Sequence, residues 1–267
     1  MTNLVDELLE LSDPETDKKI IKSFEMKNEL CPAIFDRTSD SSSSGGYTIK
    51  KEIVDKLLEI TDNFIDFTGV DFFIHDVILT GSLANYNWSE YSDVDLHILI
   101  DFNELNDSEQ NGSTVLKDIV KEFFDAKKGL WNEQHDIKIK NFDVELYVQD
   151  ISEEHVSSGV YSILNNEWVV EPSMKKEHID TNQILTKGEY FAKKIDLLFD
   201  ENSANKDISN KILELRDKIK KFRKSGLERG GEYSYENLTF KLLRRNGYIE
   251  KLMSLKNDVI DKKLSVS

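Results

Sequence analysis

The sequence predicts an α+β fold: a small mixed sheet flanked by helices and followed by a C-terminal helical region. Three observations predict the α+β class. Apolar and polar residues alternate over 94–100 and again over 142–148, the period of a strand with one covered face. Ile53, Leu57, Ile60, Phe64 and Phe67 recur at helical spacing. From Asp180 onward the period is helical throughout.

Taken in order, Leu4, Leu8, Leu9 and Leu11, then Ile20, Ile21 and Phe24, mark two short amphipathic helices. Pro14 sits near the first turn of the second, after the capping candidates Ser12 and Asp13. A short apolar segment, 30–36, precedes a serine-rich low-complexity loop at 37–46. The stretch 48–68 is a long helix covering one sheet face, and 71–80 turns to strand composition and ends at Gly81. The spacer 83–91 is expected to begin as a helix, and Trp88 within it is either a base-stacking or a packing residue. After a polar loop at 106–112, Val115, Ile119, Val120, Phe123 and Phe124 mark another helix.

Two hairpins follow. The first joins 135–139 to 142–148 through Lys140 and Asn141, and the second joins 160–164 to 167–170 through Asn165 and Asn166. The rest is expected to form three helices. Their apolar marks are Ile184, Phe191, Ile195 and Leu198, then Ile208, Ile212, Leu215, Ile219 and Phe222, then Leu238, Leu242, Ile249 and Met253, with loops at 202–207 and 226–231. The organisation expected is an N-terminal helical segment and loop at 1–47, a core at 48–175 and a helical domain at 176–267.

Charge narrows the function classes. With 51 acidic against 35 basic residues the net charge is −16, which disfavours a chain that coats nucleic acid, because such binding rests on neutralised phosphates. The segment 206–263 is the exception, with 16 basic against 9 acidic residues. A single cysteine, Cys31, excludes an internal disulfide framework. An acidic start and the lack of an apolar run near the roughly 18 residues of a membrane span give the expectation of a cytoplasmic protein without a membrane partner. No obligate protein partner is evident.

The chemistry concentrates between Leu79 and Asp101. A strand over 94–100 places Val94, Leu96, Ile98 and Ile100 on one face and Asp93, Asp95 and His97 on the other. Side chains two residues apart on a strand face are about 6.6 Å apart, so two aspartates so placed can share hard cations. Without a cation or proton, they repel. Gly81 and Ser82 end the preceding strand with backbone N–H groups unobstructed by a Cβ and one hydroxyl, a combination suited to phosphate oxygens.

Leu79-Thr80-Gly81-Ser82, an intervening stretch, then Ser92-Asp93-Val94-Asp95-Leu96 resembles the signature of the polymerase-β-type nucleotidyltransferase superfamily. The wider layout is similar to little-characterised nucleotidyltransferase-like proteins, some of them encoded by large bacteriophages. The resemblance implies a metal-dependent enzyme that moves a nucleoside monophosphate from a nucleoside triphosphate to an acceptor hydroxyl and releases pyrophosphate. The acceptor would be an RNA end, a protein or a small molecule. It implies two Mg²⁺ ions, with Mn²⁺ as a substitute, held by Asp93, Asp95 and a third carboxylate. Glu145 in Val144-Glu145-Leu146 matches the third position, where the family more often has Asp, and Asp143 on the same face is the alternative.

The resemblance further implies nucleotide binding by Gly81, Ser82 and Ser92, and by basic residues of the helical region. Lys241 and Arg244 are the candidates there, ahead of Lys193 and Lys194. His97 is expected to support the site or the fold. The competing reading is a catalytically inactive nucleotide-binding or interaction module on the same fold.

Overall fold

The computed structural model describes residues 14–38, 46–105, 114–153, 157–174, 179–201 and 208–265. The expected helix at 4–11 and the loops at 106–112 and 202–207 lie outside them. The described residues contain helix α1 (Pro14–Lys22), strands β1 (Phe35–Arg37) and β2 (Tyr47–Ile49), helix α2 (Lys51–Thr68), β3 (Asp76–Thr80) and β4 (Val94–Ile100). Then come α3 (Thr114–Gln134), β5 (Lys138–Ile139), β6 (Phe142–Asp150), β7 (Val160–Ser162) and β8 (Glu167–Val170). Helices α4 (Thr181–Glu201), α5 (Ser209–Gly230), α6 (Tyr235–Arg245) and α7 (Tyr248–Leu264) close the chain. The class is therefore α+β, with a C-terminal helical region. Two compact units divide the chain, one of residues 26–175 and one of 1–25 with 176–267.

In the first unit six strands form one mixed sheet in the order β5-β6-β4-β3-β7-β8. Every pairing is antiparallel except β4 with β6, which run parallel because α3 crosses between them. The alternation expected of β4 is complete: Val94, Leu96, Ile98 and Ile100 are fully buried, while Asp95, His97 and Leu99 lie half-exposed on the other face. Burial of four such side chains is worth about 1.5–3 kcal/mol each, which holds the register and so the direction of Asp95. Against them pack Ile53, Leu57, Ile60 and Phe64 of α2 and Phe124 and Trp131 of α3. Gly69 stops α2 in the left-handed conformation, its N–H bonded to Asp66 O.

The first hairpin turns at Lys140 and Asn141, both with positive φ, as a two-residue primed turn requires. The second connection is longer than expected. Ser162 pairs with Glu167, so four residues form the loop, and the Ile163 N–H is taken by Val77 O. Helix α3 continues ten residues past Phe124, and its early apolar marks Ile119 and Phe123 are exposed rather than buried.

In the second unit the C-terminal region has four helices instead of three. Gly247, at φ 75°, separates α6 from α7, and Leu252, Leu255 and Val259 carry the core contact where Met253 was expected to. The loop expected at 226–231 is mostly helix. A Cβ at Gly226 would lie 2.5 Å from Glu236 Cβ, so glycine there permits close packing of α5 on α6 and does not end the helix. Helix α1 belongs to this unit, held by Arg245 Nη1 donating to Ser23 Oγ and Asn246 Nδ2 donating to Asp17 Oδ1.

Candidate functional site

Strand register assembles the site. Thr80 lies opposite Asp95 across the β3–β4 pair, which puts Gly81 at the mouth of β4. On the other side Asp95 is in register with Glu145 of parallel β6. Asp93 immediately precedes β4, two residues from Asp95 and on its side of the strand. Asp93, Asp95 and Glu145 each present a carboxylate oxygen within 4.8 Å of the others, and all three are half-buried. Asp143 is elsewhere: it is exposed at the start of β6, ion-paired with Lys138 of the edge strand β5.

Gly81 fits against this cluster and no other residue would. Its φ is 71°, and a Cβ there would lie 1.8 Å from Asp95 Oδ2. The carboxylate thus occupies the space a side chain would fill, which is why a Cβ-free residue is required. Ser82 Oγ donates to Ser92 Oγ at 2.7 Å, and Ser92, itself buried, also accepts from the Ser89 N–H at 3.0 Å.

The spacer after Ser82 is a chain of turns, not the expected helix start. Asn85 accounts for the difference. Its Nδ2 donates to Gly81 O at 2.8 Å, Ser158 Oγ donates to its Oδ1 at 3.0 Å, and these bonds hold a compact loop in place of a helical turn. No helix dipole therefore acts at Gly81. Trp88 packs on the core and donates Nε1–H to Glu29 O at 2.8 Å, so it is a packing residue and not a stacking platform.

Sequence reasoning missed two supporting residues. Tyr147 donates its hydroxyl to Glu145 Oε2. Burial pushes the phenol well above its usual range, and Glu145, Asp95 and Asp93 push it further, so it stays a donor at any ordinary pH. Lys128 of α3 holds its Nζ 3.5 Å from the centroid of the Tyr147 ring. Burial lowers its pKa while Glu145, Asp125 and Asp95 oppose that shift, which places a cation in the field of the carboxylates. Tyr147 was visible as Glu145's neighbour on one strand face. Lys128 had no signal, because it lies beyond the last apolar mark assigned to its helix.

His97 stacks on Tyr147 at 4.8 Å and shares a 2.7 Å hydrogen bond between Nδ1 and Gln149 Oε1. Gln149 Nε2 donates to Glu153 O, so Oε1 faces the ring and the proton belongs on Nδ1. The histidine thereby braces Tyr147. Lys241 and Arg244 lie on α6 of the second unit. Burial lowers the Lys241 pKa, Glu232 opposes that, and Arg245, Arg244 and Arg223 lower it further. Lys193 and Lys194 lie on α4, Lys193 half-buried and Lys194 exposed.

Comparison with known proteins adds little. No family model matches the chain, and no curated protein does. Among solved structures it is similar to one described as a STING-associated CdnE c-di-GMP synthase from Capnocytophaga granulosa, at 11% identity over 80% of this chain and 84% of that one. The TM-score is 0.22, too low to carry a conclusion about function. Among the described residues, no helix is long and apolar enough to cross a membrane.

Proposed function

We propose that this chain is a metal-dependent nucleotidyltransferase, with Asp93, Asp95 and Glu145 as its metal ligands. The observation that carries the reading is the convergence of three carboxylates within 4.8 Å beside a glycine whose missing Cβ makes room for one of them. The donor set suits a hard divalent cation such as Mg²⁺ or Mn²⁺, because all three ligands are oxygen anions that repel one another without a cation. Two ions are the number the family resemblance implies. When bound, the metal lowers the pKa of an attacking hydroxyl and neutralises charge on the phosphates.

The chain's own groups supply position and charge. Gly81 and Ser82 would take the outer phosphates of the triphosphate, with Ser92 keeping the Ser82 hydroxyl in place. Tyr147 holds Glu145 in one orientation, and Lys128 moderates the negative field. Lys241 and Arg244 are further phosphate candidates. In the reaction the acceptor oxygen bonds to the α-phosphorus and the bond from that phosphorus to the β-phosphate oxygen breaks. Pyrophosphate departs, and the acceptor's proton passes to a carboxylate of the cluster.

The test is incubation with each of the four α-labelled nucleoside triphosphates, Mn²⁺ or Mg²⁺, and cell extract as a source of acceptor. Pyrophosphate release and label transfer are expected, both abolished in Asp93→Ala and Asp95→Ala. Binding without turnover would identify an inactive nucleotide-binding module, and retained transfer in both variants would reject the carboxylate assignment.

A further inference from the structure

A second feature lies on the helical unit. A groove of about 350 Å³ is lined by Leu197, Leu198 and Leu215, by Lys194, Lys211 and Lys218, and by one carboxylate, Glu214, all of α4 and α5. Lys187 and Lys194 are seven residues apart on α4, as are Lys211 and Lys218 on α5, so each helix presents a pair on one face, about 10.5 Å apart along its axis. Beside the groove, against Lys194 and Lys218 of its rim, stands Tyr190, more than a third exposed and backed edge-on by Phe191. Lys187, Lys194 and Lys218 hold their ammonium groups 5.5, 5.1 and 5.3 Å from its ring centroid. Lys218 also donates to its hydroxyl at 3.1 Å.

Three like charges around one exposed ring repel each other, and among the described residues none of the three forms an ion pair. The Tyr190 phenol pKa is lowered, by the Lys218 hydrogen bond first, against the effect of burial, then by a hydrogen bond from Lys194 and the charges of both lysines. In a chain of net charge −16 this is a locally basic groove, three lysines against one glutamate, with an exposed aromatic beside its rim. Phosphates satisfy the ammonium groups, and an unstacked base satisfies the ring. A folded duplex offers no free base faces, and an acidic peptide stacks only where it carries an aromatic, whereas every nucleotide of a single strand joins a phosphate to a base.

We propose that the α4–α5 groove and the Tyr190 surface beside it bind single-stranded nucleic acid, with a base on Tyr190 and flanking phosphates on Lys187, Lys194 and Lys218 around the ring and on Lys211 in the groove. This does not depend on the carboxylate site.

The experiment is fluorescence anisotropy of the full chain with labelled 12-mers of oligo(U) and oligo(dT), in chelator so that metal plays no part. Binding of either strand is expected, weakening with salt. Tyr190→Ala should lose about 5- to 150-fold in affinity, the range for one base stack, and Tyr190→Phe about twofold or less. The combined variant K187E/K194E/K218E should lose more than tenfold and flatten the log–log salt slope by about 2. All these positions are exposed, so unchanged circular dichroism melts would show that the fold is kept. Asp95→Ala should bind as the parent does. The assignment is overturned if neither strand binds, if Tyr190→Ala or the lysine variant binds unchanged, or if Tyr190→Phe loses as much as Tyr190→Ala. It is also overturned if inorganic polyphosphate displaces the probe as well as unlabelled strand does.

Discussion

Gly81 and Tyr147 are the single residues on which the carboxylate arrangement most depends. In Gly81→Ala a methyl group would have to occupy the space of Asp95 Oδ2, on a backbone that costs an L-residue about 1–2 kcal/mol. Asp95 must swing away, so Mn²⁺ affinity should fall at least tenfold while the far-ultraviolet circular dichroism spectrum is unchanged. Calorimetric titration with Mn²⁺ checks this, and equal affinity would mean that Asp95 does not bind metal. Tyr147→Phe removes the donor to Glu145 and leaves the ring. By analogy with partners that orient metal ligands, it should cost about 10- to 100-fold in metal affinity. An unchanged titration would take Tyr147 out of the site.

At the scale of elements, β6 is anchored at its far end by Asp150, a buried carboxylate. Burial alone would raise its pKa. The Ser152 hydroxyl, the N–H groups of Ser152 and Phe102, and Lys117 outweigh that and hold it below the usual carboxylate range. A depressed folded pKa contributes stability above the unfolded value of about 3.9, and that stability is lost as pH falls through the folded pKa. Asp150→Asn should therefore cost roughly 1–3 kcal/mol at pH 7 in urea denaturation, with the gap to the parent narrowing below about pH 4. A pH-independent gap would assign the loss to packing.

The strands that place the site could be read from the chain because β4 and β6 have one covered face each, and a period of two leaves a visible trace. What escaped notice depends on contacts distant in sequence. Asn85 looked compatible with a helix, and Ser158 and the Gly81 carbonyl decide otherwise. Gly226 looked like a loop, and the need to admit Glu236 keeps it inside α5. Gly247 breaks the last helical run through its own conformation, a signal that was present in the sequence and overlooked.

For the whole molecule, a net charge of −16 means that any salt should raise stability by screening, so stabilisation by a divalent ion alone proves little. The carboxylate cluster makes a sharper demand, because its three anions repel when empty and attract the ion when filled. Asp95→Asn should therefore melt higher than the parent in chelator and lower than the parent in saturating Mn²⁺. A ligand at about 100 times its dissociation constant adds about 2.7 kcal/mol to the state that binds it, enough to outweigh one relieved repulsion. General screening acts on both proteins alike and cannot reverse their order. Thermal melts of the pair, in chelator and in Mn²⁺ at matched ionic strength, would reveal the crossing. Parallel shifts would leave the cluster as surface acidity without a metal.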